Sequence, residues 1–169
     1  KRAETGLLWR KNTNNNYCTG SNNRGADLNR NFPWEWGGAA SAAQCDTTYQ
    51  GPSPGSEPEV QALVNYWQSI YHDQRGPALN DPAPLDSTGV VIDIHSFSQL
   101  VLWPYGFSNS AGPSPNAAQF STFGRRLAFF NGYRPQQIIG LTAASGSSAD
   151  QAYGELGVAG LAFEIGTEF

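Results

Sequence analysis

Two polar residues interrupt segments that otherwise have the composition of buried β-strands. His95 ends a β-branched run that begins at Val90, and Glu164 lies inside the apolar segment 161–165. A carboxylate among apolar residues is costly unless it is paired or functional, and polar groups at the carboxyl ends of strands commonly line a ligand crevice. A hydrogen-bonded core histidine and a buried ion pair are the alternatives. Asp93, on the same strand face as His95, could orient the imidazole or simply pair with it.

A second polar group lies in the loop-like segment 27–32, which contains Asn29 and Arg30. The guanidinium of Arg30 offers a planar pair of donors and the amide of Asn29 adds a neutral donor, so the two suit a carboxylate ligand. Arg10, beside Trp9, is another fixed positive charge. Taken alone, each arginine would be interpreted as an ordinary surface residue.

The two cysteines, Cys18 and Cys45, both lie in polar sequence rich in Asn, Ser and Gly. Free thiols are usually buried, so this placement favours one disulfide that closes a loop, and with it an oxidising compartment. Two unrelated free thiols are the alternative. A cysteine-based metal site has little support, because the sequence contains no CxxC motif and no Cys/His cluster.

These residues must be positioned by helices and strands that alternate along the chain. Ser56 to Glu59 resembles a capping box and predicts a helix over 56–73. Ser114 as a cap, followed by Pro115, predicts a second helix over 115–131. The first helix has an apolar stripe at helical spacing: Val60, Leu63, Val64, Trp67, Ile70 and Tyr71.

Short runs rich in β-branched and other apolar residues predict the strands. They cover residues 89–95, 99–103, 136–141 and 158–165, with a strand-like segment at 6–9 and a further short helix at 149–155. Helices that alternate with such strands predict an α/β fold, with a mixed, mostly parallel central sheet flanked by helices.

The composition excludes several classes of protein. Of the 169 residues, 14% are charged and 12% are aromatic, which is incompatible with disorder and with a coiled coil. The net charge of −4 and the isoelectric point near 5.0 argue against a nucleic-acid-binding surface. No apolar run approaches the ~18 residues of a membrane span. We therefore expect neither nucleic-acid nor membrane partners, and the length fits one domain.

Taken in order, the motifs resemble those of the zinc metallocarboxypeptidases, the carboxypeptidase A-like or M14 peptidases, over nearly the whole chain. The matching segments are Trp9–Lys11, Gly25–Phe32, Ile94–Gln99 with Trp103–Gly106, Ala144–Asp150 and Phe163–Glu164. Each is weak alone, whereas five in the family's order are specific. The resemblance implies that residues 1–169 are part of one catalytic domain that lacks its N-terminal and C-terminal portions.

The resemblance also implies roles for individual residues. His95 corresponds to the third zinc ligand, and Glu164 to the carboxylate that takes a proton from metal-bound water and passes it to the leaving amine. Arg10 corresponds to the group that stabilises the developing oxyanion. Asn29 and Arg30 correspond to the clamp for the free C-terminal carboxylate of the substrate.

Further substrate contacts are implied for Ser96, Thr142 and Ala149. Thr142 stands where many members have a mobile, substrate-capping tyrosine, and Ala149 stands where members that prefer basic C-terminal residues have an acid. The implied side-chain pocket consists of Leu141, Ala144, Ser147, Ala149 and Ala162. Nothing in it could pair with Lys or Arg, and the family pattern directs Asp150 away from it, so we expect a preference for aromatic or bulky aliphatic C-terminal residues.

The zinc ligands are where this sequence departs from the family. Members bind one zinc ion through a His-x-x-Glu pair and a later histidine, but this sequence contains no His-x-x-Glu. The other two ligands are therefore expected upstream of Lys1, and weak or no zinc binding and no activity are expected of residues 1–169 alone. His72 falls opposite the apolar stripe and should face solvent. Some members also have a disulfide around the segment that Cys18 and Cys45 bracket.

The resulting hypothesis is a secreted or periplasmic, zinc-dependent carboxypeptidase. It would remove C-terminal residues from peptide or protein substrates through attack by a metal-activated water. One alternative is an inactive homologue that binds peptides or acts structurally. Another is a serine hydrolase that uses Ser147 or Ser148, which is weaker because neither serine lies in a G-x-S-x-G motif.

Overall fold

A computed structural model describes residues 8–168, and its centre is a four-stranded sheet. The helices are α1 (Pro58–Ile70), α2 (Ala117–Asn131) and α3 (Ser148–Leu156), and the strands are β1 (Val90–His95), β2 (Leu100–Trp103), β3 (Arg134–Gln137) and β4 (Ala159–Glu164). Short 3₁₀ turns cover Leu28–Arg30 and Ile138–Gly140.

The strand order is β1-β4-β2-β3. The pairs β1–β4 and β2–β3 are parallel, whereas β2 and β4 are antiparallel. The predicted α/β class with a mixed, mostly parallel sheet is therefore confirmed. Because β1 and β4 run parallel, their carboxyl ends coincide, and His95 lies directly opposite Glu164.

The helices lie where the sequence predicts them, but two of the predicted caps are wrong. The Glu57 side chain makes no capping hydrogen bond at the start of α1, and Ser56 instead bonds Asn31 and Glu57. The hydroxyl of Ser114 has no partner among the described residues, because α2 begins later, after Asn116.

The predicted third strand is displaced. The sequence predicts a strand over 136–141. The observed strand β3 instead covers Arg134–Gln137, and the chain then enters the 3₁₀ turn Ile138–Gly140. The apolar Ile138 packs from this turn against Leu102 and Ala149 in a small core cluster. Of the segment 6–9, residues 6 and 7 lie outside the described residues, and residues 8 and 9 are not in a strand.

The core is built around α3 and β4. Tyr153 and Leu161 pack into one aromatic cluster, while Ala152 and Val158 pack into a second cluster with residues of α1 and β1. The helix lies so close to the strand that a Cβ atom on Gly160 would stand 2.2 Å from the carbonyl oxygen of Ala149. Small residues are therefore required on this side of the sheet.

The β1 edge of the sheet is open. Val90, Ile92 and Ile94 of β1 are 41%, 50% and 66% exposed, and a groove of about 970 Å³ lies between this strand and α1. The predicted apolar stripe of α1 is accordingly only partly buried: Val60 and Trp67 are covered, whereas Leu63 and Ile70 are exposed. Within residues 8–168, every helix is too short or too polar to cross a membrane.

Candidate active site

A disulfide between Cys18 and Cys45 closes the loop that precedes the sheet. The two Cα atoms are 5.1 Å apart, as predicted for a bonded pair. Lys11 crosses this loop and donates from Nζ to the carbonyl oxygens of Gln44 and Asp46, at 2.7 and 2.8 Å. The loop is thereby tied to the segment that carries Arg10.

Asp27 holds Arg10 beside Asn29 and Arg30. Its Oδ2 accepts a hydrogen bond from Nε of Arg10 at 2.7 Å, and its Oδ1 accepts one from the backbone N–H of Asn29 at 3.2 Å. Asp27 therefore caps the turn that carries the amide and the guanidinium, and it fixes a second arginine next to them. No role was predicted for Asp27, although its place at the head of that segment is a typical cap position.

Two loops interlock behind this turn. The N–H of Phe32 donates to the carbonyl oxygen of Gly146 at 3.1 Å. Gly146 has φ of +65°, and a Cβ atom there would stand 2.6 Å from the carbonyl oxygen of Arg30. Only glycine satisfies both the backbone conformation and this close approach, so the segment 144–150 is held against the arginine turn.

His95 has two partners at its Nε2 atom. Oδ2 of Asp93 is 2.8 Å away and Nδ2 of Asn29 is 3.0 Å away. The hydrogen bond to Asp93 raises the pKa of His95 against the opposing effect of burial. Burial alone would raise the pKa of Asp93, but its bonds to His95 and Ser148 bring that pKa below the ordinary value. Asp93 is therefore an anionic acceptor for the imidazole.

Glu164 faces the same region from the end of β4. It is half-buried, and burial raises its pKa, while the charges of His95 and Arg10 act in the opposite direction. A carboxylate whose pKa is raised in this way has the character of a general base or acid.

One cavity of about 290 Å³ brings the predicted residues together. Every residue to which the resemblance assigns a metal, catalytic or substrate role lines it: Arg10, Asn29, Arg30, His95, Ser96, Thr142, Ala149 and Glu164. Its wall also includes the five residues of the implied side-chain pocket. Asp150 is fully buried and does not line the cavity, because its carboxylate accepts the backbone N–H of Gly106; burial raises the pKa of this carboxyl to about 7.

Arg30 is a buried cation with one side-chain donor that finds no partner within residues 8–168. Its residue is only 8% exposed. Nη1 donates to the carbonyl oxygen of Asn29 at 2.7 Å, whereas the buried Nε atom has no partner among the described residues. Burial lowers the pKa of the guanidinium, although the nearby Asp27 opposes this. A buried guanidinium with an unused Nε donor at a cavity wall is suited to bind an anion.

The described residues provide one donor suited to zinc, not a full ligand set. Within residues 8–168, no group of three or more His, Cys, Asp or Glu side chains could hold a metal ion. His95 itself fits such a site, because zinc-bound histidines commonly direct their other nitrogen to a carboxylate. In the same range, its Nδ1 atom forms no hydrogen bond.

Comparison with known proteins agrees with this geometry. The family model described as zinc carboxypeptidase matches residues 2–169. Mast cell carboxypeptidase A of Rattus norvegicus is 32% identical over 161 residues, which is 89% of this chain and 34% of that protein. A metallocarboxypeptidase A-like protein of Trichophyton verrucosum is 38% identical over 114 residues, 64% of this chain and 22% of that protein.

Solved structures show the same relationship. Carboxypeptidase A from Helicoverpa armigera superposes with a TM-score of 0.75 at 28% identity, covering 95% of this chain and 38% of that one. Thrombin-activatable fibrinolysis inhibitor superposes with a TM-score of 0.68 at 27% identity, covering 85% of this chain and 34% of the other. The chain thus spans about a third or less of the length of the mast cell and Trichophyton relatives. It belongs to the zinc carboxypeptidase family.

Proposed function

We propose that the protein containing this chain is a zinc-dependent carboxypeptidase that removes C-terminal residues from peptides or proteins. The observation that carries this proposal is Arg30, a buried guanidinium with an unpaired Nε atom at the wall of the 290 Å³ cavity. The free C-terminal carboxylate of a peptide is an anion that a planar guanidinium binds with two parallel hydrogen bonds. Asn29, which lines the same cavity, adds an amide donor.

The residues beside this clamp have the side chains that peptide hydrolysis needs. Glu164 takes the proton of the attacking water and delivers it to the leaving amine, and Arg10 stabilises the negative charge that develops on the carbonyl oxygen. The chemistry that zinc would supply, when bound, is activation of a water molecule as the nucleophile. His95 is the residue of this chain that would hold the ion.

The composition of the cavity supports a preference for aromatic or bulky aliphatic C-terminal residues. Ala149 and Ala162 are small, so they leave room for a large apolar side chain. Asp150 is engaged with Gly106 outside the cavity and is therefore not available to a basic side chain. Thr142 and Ser96 also line the cavity, within reach of a peptide bound there.

We further propose that residues 1–169 form part of one catalytic domain, whose remaining portions supply the other two zinc ligands. The exposed apolar edge of β1 and the groove against α1 support this, because a surface of this kind is typical of an interface rather than of a finished exterior. The disulfide supports a secreted or periplasmic location, where such bonds persist.

The test is hydrolysis by the complete enzyme of matched peptides that end in Phe, Leu, Lys or Arg, each with a free carboxylate or a C-terminal amide. We expect release of one residue from the free acids, a higher kcat/KM for Phe and Leu than for Lys and Arg, and little cleavage of the amides. Equal cleavage of acids and amides would refute the clamp. Binding of the acids without release would instead indicate an inactive homologue.

A further inference from the structure

Ser148, the first residue of α3, contacts both neighbours of His95. Its backbone N–H donates to Oδ1 of Asn29 at 2.8 Å, and its hydroxyl donates to Oδ2 of Asp93. Asp93 and Asn29 in turn both lie within hydrogen-bonding distance of Nε2 of His95. Resting on the proposed function, we propose that Ser148 is a positioning residue that fixes Asp93, and through it the orientation of His95, while it separately fixes Asn29.

The hydrogen-bond chemistry at His95 supports this assignment. Its Nε2 atom presents either a hydrogen or a lone pair, so it cannot serve both the carboxylate of Asp93 and the amide donor of Asn29. Asp93 can only accept, and therefore Nε2 carries the hydrogen and Nδ1 keeps the lone pair that a metal requires. Nδ2 of Asn29 gains no acceptor from this arrangement, and it is left as a donor for an incoming carboxylate.

The rigidity of α3 makes Ser148 suitable for this role. Ser148 is 5% exposed, and the next residue, Ala149, is packed against Gly160 of β4. The preceding residue, Ser147, caps the helix by accepting the N–H of Asp150. The two donors of Ser148 are therefore held by a packed helix, whereas Asp93 and His95 are partly exposed and depend on their partners for orientation.

The hydroxyl bond of Ser148 to Asp93 can be removed by mutation without removing its backbone bond to Asn29. Ser148→Ala in the complete enzyme removes the hydroxyl but keeps the backbone N–H that holds Asn29. We expect a loss of zinc affinity of roughly 10–100-fold, measured by competition with a chelator, because partners of zinc-bound histidines contribute about this much. The KM for a free-acid peptide at saturating zinc should change less than threefold. Ser148→Thr, which retains a hydroxyl, should restore most of the zinc affinity.

Asp93→Asn supplies a second measurement that does not depend on the folding of the Ser148 variants. It should weaken zinc binding by a similar factor, and in the double variant the two losses should not add, because both act through one hydrogen-bonded chain. Ser110→Ala, at an exposed serine, is the matched control. Zinc affinity in Ser148→Ala within twofold of the wild type, or additive losses in the double variant, would overturn the inference. A wild-type enzyme that binds no zinc would refute the proposed function itself.

Discussion

Two regions of the molecule, the α3–β4 side and the α1–β1 side, differ in how completely they are packed. On the α3–β4 side, small residues such as Ala149 and Gly160 bring helix and strand into direct contact. On the α1–β1 side, large apolar residues such as Ile92 and Leu63 are exposed beside an open groove. The candidate site lies along the boundary, with His95 at the end of the open strand and Glu164 at the end of the packed one.

This difference separates what the chain holds in place from what it leaves to other parts of the protein. The proposed clamp residues and side-chain pocket are supported by α3, β4 and the interlocked loops. His95, the proposed zinc ligand, lines the open groove together with Arg10 and Asn29. Under the function proposed above, the substrate is recognised mainly on the packed side, and the metal site is completed across the open side.

The largest predicted effect is a loss of catalysis when Glu164, at the end of β4, is replaced. Glu164→Gln in the complete enzyme removes the proton acceptor while keeping the shape of the side chain, and kcat should fall on the order of 10²–10⁴-fold. Glu168→Gln, at an exposed carboxylate four residues later, is the matched control and should leave kcat unchanged. A kcat for Glu164→Gln within tenfold of the wild type would reject the assignment.

The packed side should also make stability depend on pH through Asp150. The pKa of this buried carboxyl is about 7 in the folded chain, against an ordinary value of 3.8. Between these two pKa values Asp150 is protonated in the folded state more often than in the unfolded state. The free energy of unfolding should therefore fall as pH rises from about 4 to 7, by up to about 4 kcal/mol. Asp150→Asn should lack this contribution. Urea unfolding at several pH values measures it, and parallel pH profiles for the two proteins would contradict it.

Paired substitutions on the two sides should give a smaller but clear contrast in stability. Gly160→Ala places a methyl group against the carbonyl of Ala149, and overpacking of this kind costs about 1–3 kcal/mol. Ile92→Thr, at a half-exposed position on β1, should change the free energy of unfolding of this chain by less than about 0.5 kcal/mol. In the complete enzyme the same Thr substitution should cost more, if the groove is covered there. Equal costs in the two proteins would show that the β1 surface stays open.

Much of the fold could be predicted from the sequence, because its helices and strands have clear local signals. Glycine and apolar periodicity located α2, α3 and β4 within a few residues. The third strand was misplaced, since an apolar run does not reveal whether it pairs in a sheet or packs from a turn, as Ile138 does. The stripe of α1 was predicted correctly as apolar, but periodicity cannot show whether a partner covers Leu63 and Ile70.

The sequence could predict which residues lie together in the candidate site, but not the hydrogen bonds that hold them in place. Resemblance to a family could select Arg30, His95 and Glu164, which the structure brings to one cavity. The supporting contacts of Asp27 and Ser148 join residues 17 and 55 positions apart, to Arg10 and Asp93 respectively. Contacts of this range depend on how loops cross in space, and a single sequence carries no local signal for them.

The central claim is that Arg30, which is buried and whose Nε atom has no partner among residues 8–168, binds the carboxylate of the substrate. The most direct test is Arg30→Met in the complete enzyme, with Arg126→Met on the exposed face of α2 as the control. The claim predicts that kcat/KM for a free-acid peptide falls by about 10²-fold or more. It also predicts that the free energy of unfolding stays equal or rises, because an uncompensated buried charge has been removed. A variant that loses stability but keeps kcat/KM within threefold of the wild type would contradict the account.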